Sequence, residues 1–95
     1  MKAFWVVRCH VTDKEAYTNY VELAGTAIEK HGGQFLVRGG KQIEVEGKGF
    51  ERTVLVEFKS LEQAQACYLS EEYQAAHKVQ EQAAQRLVVM VEGLN

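Results

Sequence analysis

From Ala3 to Val11 the side chains fall into two alternating sets, Phe4, Val6, Arg8 and His10 on one side and Trp5, Val7, Cys9 and Val11 on the other. That spacing of two is the period of a β-strand. Both sets are largely apolar, so the strand has two faces to bury and belongs in the interior of a sheet. Arg8 ends the apolar run far short of the ~20 residues that cross a bilayer, and no small-residue cleavage pattern follows. Neither a membrane span nor an export signal is expected.

After this strand Thr12 and Glu15 form a capping box. Ala16, Tyr17, Tyr20, Val21, Ala24, Ala27 and Ile28 then recur at helical spacing as far as the basic turn Lys30-His31 and the stop at Gly32. Gln34 to Arg38 reads as a second strand. Beyond Gly39-Gly40 the alternation resumes from Gln42 to Glu46, and the reading favours a bend within one long strand over a two-residue hairpin turn. Gly47 to Gly49 makes a loop before a third strand, Arg52 to Phe58, with Val54, Val56 and Phe58 on one face and Thr53, Leu55 and Glu57 on the other. Ser60 with Gln63 caps a helix containing Leu61, Ala64, Cys67 and Tyr68. Ser70 caps again, opening either a kinked continuation or a separate helix with Tyr73 and Ala76, and Leu87 to Glu92 closes the chain as a fourth strand.

The order strand, helix, strand, strand, helix, strand is the split βαβ arrangement of the ferredoxin-like α+β class. A four-stranded antiparallel sheet is expected, with the first and third strands central and both helices on one face. With 95 residues there is length for one core, so 1–95 reads as a single domain. The face without helices is expected to carry Phe4, Val6, Leu36, Leu55, Val88 and Met90, too much apolar surface to leave in water. A second copy of the chain would cover it, which makes a homodimer the expected partner.

Eleven basic and thirteen acidic residues leave a net charge of −2 without a basic stripe, so neither nucleic acid nor membrane is an expected partner. The two cysteines, Cys9 and Cys67, lie in different elements and read as buried thiols, which fits the reducing cytoplasm. His10, His31 and His77 stand in separate elements with no ligand spacing, so no metal or other cofactor is expected. No Ser, Thr or Cys has a recognisable nucleophile setting.

The constellation to weigh is the set of charges on the face away from the helices. Arg8, His10, Arg38, Glu57 and Glu92 are all expected there, among apolar neighbours. Read as a pocket, Arg8 and Arg38 hold an organic acid or carbonyl compound while Glu57 or His77 accepts a proton. Cofactor-free isomerase, lyase or oxygenase chemistry would follow. The alternative is a non-catalytic interaction or structural module, in which Arg8 and Glu57 pair across the sheet and the other charges fix the register of a dimer seam. His31 is a helix C-terminal base, and His77, on the side of Tyr73 and Ala76, is a core histidine or a site residue. An RNA-recognition sheet would need exposed aromatics where Thr53, Leu55 and Glu57 stand.

The run His31-Gly32-Gly33-Gln34-Phe35-Leu36-Val37-Arg38-Gly39-Gly40 is followed by Glu46-Gly47, Arg52, Val56-Glu57-Phe58, Ser70-Glu71-Glu72-Tyr73 and Val91-Glu92-Gly93. Over nearly the whole chain this string resembles a bacterial family of short proteins known as domain of unknown function thirteen-thirty. The resemblance implies a dimeric α+β barrel, two sheets packed face to face. Relatives on that architecture include cofactor-independent monooxygenases, haem-degrading enzymes, muconolactone-type isomerases and stress-responsive binding proteins, so fold does not select function. The family has no established catalytic residues to transfer. The chain departs from its pattern in having no proline near Glu51 and Lys59, which removes a φ constraint from both turns. Of a haem-degrading set it has Trp5 and His77 without a matching strand asparagine.

Overall fold

The structure, a computed structural model, describes residues 1–95. Its elements are β1 (Ala3–Val11), α1 (Lys14–Lys30), β2 (Gln34–Arg38), β3 (Arg52–Phe58), α2 (Leu61–Leu69), α3 (Glu71–Gln80) and β4 (Ala84–Glu92). The strands form one antiparallel sheet in the order β2-β3-β1-β4, with β1 and β3 inside it. This is the ferredoxin-like α+β arrangement, with the second helix broken in two. Ser70 makes the break. It is extended, ends α2, and accepts the Tyr73 amide at 3.2 Å to start α3.

The helices bury one face of the sheet. Trp5, Val7 and Cys9 of β1 and Val56 and Phe58 of β3 pack there against Tyr17, Tyr20, Ala24, Ala27 and Ile28 of α1, Ala64 and Cys67 of α2, and Tyr73 and Ala76 of α3. Trp5 is the centre of an aromatic cluster, 5.2 Å from Phe58 and 5.0 Å from Tyr73 between ring centroids. Its indole N–H donates to the Ala64 carbonyl at 3.0 Å, which satisfies the one polar atom of a buried ring. Gly33 is required by close approach, because a Cβ there would meet Ile28 and Phe58 at 2.5 and 2.9 Å.

Five expectations need correction. The cap of α1 is Asp13, whose carboxylate accepts the Ala16 amide at 3.1 Å, and not Thr12. The Thr12 and Asp13 amides both donate to Ala83, which carries the sheet pairing past Val11 and starts the helix one residue later. Gln42 to Glu46 is not a strand. Glu44 folds back to accept the Gly49 and Phe50 amides, and the Gln42 side chain bonds Phe50 and Thr53, so side chains close a loop where a ladder was expected.

The third correction concerns β4. It begins at Ala84, and its register opposes Val88 to Val7 and Met90 to Trp5, which turns both toward the helices. Leu87, Val89 and Val91 occupy the uncovered face beside Phe4, Val6 and Leu55 instead, and they are 55%, 57% and 48% exposed. By the same register Glu92 opposes Ala3 and leaves the uncovered face, the fourth correction. The fifth lies in β2, where the register shifts between Phe35 and Val37. This bulge places Val37 opposite Leu55 and Arg38 opposite Val54, so Arg38 points to the helix side.

Candidate functional site

The structure does not bring Arg8, Arg38, Glu57 and His77 together. Arg8 and Glu57 share the uncovered face, but Arg8 stands opposite Thr53 and Glu57 opposite Phe4, about 13 Å apart along the strand. They do not pair. Arg8 donates to the Phe50 carbonyl at 2.9 Å and lies 3.7 Å from Glu44, which ties the 42–50 loop to the sheet. Glu57 meets Lys2 at 3.7 Å. His10, also on this face, bonds Glu51 at 2.9 Å. Arg38 and His77 belong to the helix side, in two different recesses.

On the helix side β3 and β4 each place an arginine in phase with their core residues, Arg52 with Val54 and Val56, and Arg86 with Val88 and Met90. Both oppose Cys9, so the two flank it across three strands, about 10 Å apart at the backbone. Above them lies α1. Tyr17 places its hydroxyl 3.4 Å from the Cys9 sulfur, and Tyr20 bonds Tyr73 at 2.6 Å between hydroxyls. Arg86 donates to both of the latter, at 3.1 and 3.3 Å.

Arg38 approaches the same space from β2. Its guanidinium covers the Phe35 ring at 4.1 Å and reaches the Val21 carbonyl at 3.4 Å. Gly25 permits this, since a Cβ there would collide with the guanidinium. Arg38, Arg52 and Arg86 therefore line one cleft with Trp5, Tyr17 and Tyr20. Its free space is about 30 Å³, room for one or two waters. Through Tyr17, Val21 and Arg52 it adjoins an open vestibule of about 420 Å³ at the start of α1.

None of these three arginines has a carboxylate partner. The Nε atoms of Arg52 and Arg86 are buried with no hydrogen bond. Arg52 and Arg86 are half-buried and Arg38 is exposed; a cation partly withdrawn from water with no anion beside it is costly. The phenols do not supply negative charge. Burial pushes Tyr20 well above the ordinary tyrosine range, reinforced by neighbouring Tyr73, and burial with the Cys9 contact does the same to Tyr17. Both stay protonated at neutral pH and act as donors. The cleft thus offers fixed cations and phenolic O–H groups to an oxyanion, within aromatic walls.

The sequence signal for this cleft was one arginine at a core-facing strand position, Arg52. Arg52 has the parity of Val54, whereas Arg86 lay ahead of the expected strand and in phase with Val88, which was expected on the uncovered face. Arg38 gave no such signal, because its face depends on the bulge.

No curated protein matches the chain. Solved structures share its fold. A protein of unknown function from Rhodopseudomonas palustris superimposes with a TM-score of 0.79 at 17% identity, over 99% of this chain and 83% of that one. A dimeric ferredoxin-like protein of unknown function from Jannaschia sp. CCS1 gives 0.75 at 15% identity, over 98% and 100%. SnoaB, a cofactor-independent oxygenase from Streptomyces nogalater, gives 0.70 at 5% identity, over 99% and 94%. The family model described as Domain of unknown function (DUF1330) matches residues 2–94, and the chain belongs to that family.

Proposed function

We propose that the protein is a cytoplasmic homodimer that binds a small organic acid or carbonyl compound in the vestibule at the start of α1, with its carboxylate or carbonyl oxygen directed past Arg52 into the cleft between α1 and the sheet. The observation that carries this reading is the pair Arg52 and Arg86, flanking Cys9 with buried Nε atoms and no carboxylate to neutralise them. A carboxylate or enolate oxygen between them would supply the missing charge, and the tyrosine hydroxyls would orient it. Stabilising an enolate is the common requirement of cofactor-free isomerase, lyase and oxygenase chemistry. The fold similarity to SnoaB is consistent with the last of these.

Dimerisation is supported by the exposed apolar strip Leu87, Val89 and Val91, which the helices cannot reach, and by the dimeric state named for the Jannaschia protein. Arg8 and Glu57 lie on that face and are assigned to the seam. A second reading, an interaction module without a ligand, rests on this same strip.

Benzoate titration with Trp5 fluorescence tests the first reading, with benzamide as the uncharged control. Saturable benzoate binding that weakens at least tenfold in Arg52→Gln, with no benzamide binding, is the expected result. Equal response to both compounds would remove the anion site and leave the interaction module. Light scattering of wild type and Val89→Asp tests the seam, and a monomeric wild type would overturn it.

A further inference from the structure

We infer that segment 41–46 is an exchanged strand. In the homodimer proposed above, on which this inference rests, it crosses to the second copy of the chain and adds to the open edge of that copy's β4.

The segment has every property of a strand except pairing. Gln42 and Glu44 turn inward and are half-buried, whereas Ile43 and Val45 turn outward, 88% and 80% exposed. That alternation is the period of a β-strand. Of the large apolar side chains only Leu94 is more exposed. The inward side chains hold the backbone out as an arm. Glu44 accepts the Gly49 and Phe50 amides at 3.0 and 2.8 Å and lies 3.7 Å from Arg8. Gln42 donates to the Phe50 carbonyl at 2.8 Å and accepts the Thr53 hydroxyl at 2.6 Å. From Lys41 to Lys48 no backbone amide or carbonyl bonds another backbone group.

Two β-branched side chains held in water in this way call for a cover, and their position names it. Arg8 and Thr53 oppose each other on the uncovered face, so the arm is anchored there and Ile43 and Val45 continue the apolar surface assigned to the seam. The same sheet ends in an open edge, since β4 pairs with β1 on one side and with no strand on the other. Open edges accept extended segments as added strands. Leu87, Val89 and Val91 present apolar side chains at every second residue along this one, the spacing of Ile43 and Val45. Within its own subunit the arm makes no backbone bond to that edge. A two-fold axis makes the exchange reciprocal. Each copy gives one arm and receives one, and the contact closes at two subunits.

Mixing two single-cysteine variants tests the exchange. Ile43→Cys and Val89→Cys, combined after subunit exchange and treated with o-phenylenedimaleimide, should give a covalent heterodimer containing a peptide that joins residues 43 and 89. Leu23→Cys, on the exposed side of α1, should give no such link to Val89→Cys. The double variant Ile43→Ser, Val45→Ser should raise the dimer dissociation constant by about tenfold or more in sedimentation, with circular dichroism confirming its fold. Alternate amides between Lys41 and Glu46 should exchange slowly in the wild-type dimer. A monomeric wild type would overturn the dimer and the exchange together. A dimeric wild type with no 43–89 peptide, with fast exchange throughout 41–46, or with the double variant unaffected would overturn the exchange alone and leave the seam between sheet faces standing.

Discussion

Arg38 and Phe35 lie on the same face of the sheet, guanidinium over ring at 4.1 Å, although they are three residues apart in one strand. In an unbroken strand that separation puts two side chains on opposite faces. The bulge between Phe35 and Val37 supplies the extra residue that brings them together. One backbone irregularity thus moves a cation from the apolar face of the sheet to the mouth of the cleft.

Gly25→Ala tests whether that position matters. The added methyl displaces the Arg38 guanidinium, while alanine improves the helix by up to about 1 kcal/mol. Thermal melting should show unchanged or raised stability. Benzoate affinity, by the same fluorescence titration, should fall at least fivefold.

Gly33→Ala should behave in the opposite way. Its methyl meets Ile28 and Phe58, which are buried and have nowhere to go. Overpacking of this kind costs roughly 1–3 kcal/mol, measurable as a lower urea midpoint.

Tyr73→Phe removes a hydroxyl that bonds both Tyr20 and Arg86. Tyr20 keeps its bond from Arg86, so no phenol is orphaned, and a loss of about 1–2 kcal/mol is expected by urea unfolding. A loss above about 4 kcal/mol would mean that Tyr73 carries the core in some further way.

Burial pushes the Cys67 thiol up to about 12, with Glu72 adding to the effect. It is therefore protonated and enclosed at pH 8. An aromatic disulfide reagent should label it only at the rate of unfolding, and labelling of the native protein within seconds would contradict the packing.

Bonds from His10 and from the Val11 amide lower the Glu51 carboxyl from 4.5 to about 2. A folded-state pKa below the unfolded one stabilises the protein above pH 4.5, and that contribution is lost as pH falls toward 2. Acid unfolding of Glu51→Gln should lack this step. The pair is solvent-exposed, so the difference should be small and should shrink at high salt.

Element types and their order were legible in the sequence because they depend on local periods and caps: the Ser60 and Ser70 caps, the Gly32 stop, and the alternation through β1 and β3. The same local rules misplaced Gln42 to Glu46, whose alternation is that of a strand but whose Glu44 and Gln42 side chains find partners within the loop. Arg52 was readable as a charge in phase with core positions, and Arg86 was not, because Val88 and Met90 were expected on the other face. Cleft membership was not, since it required knowing that both strands flank Cys9.

By itself, then, the sequence determined a split βαβ chain with an apolar sheet face that its own helices cannot cover, because residue spacing dictates which side chains share a face of an element. Tertiary structure alone decided the registers of β3 and β4 against β1 and the bulge of β2. Those settle which face each charge takes, and a shift of one residue reverses the answer. That is why Arg8 and Glu57 stand apart on the uncovered side, while Arg38, Arg52 and Arg86 converge under α1.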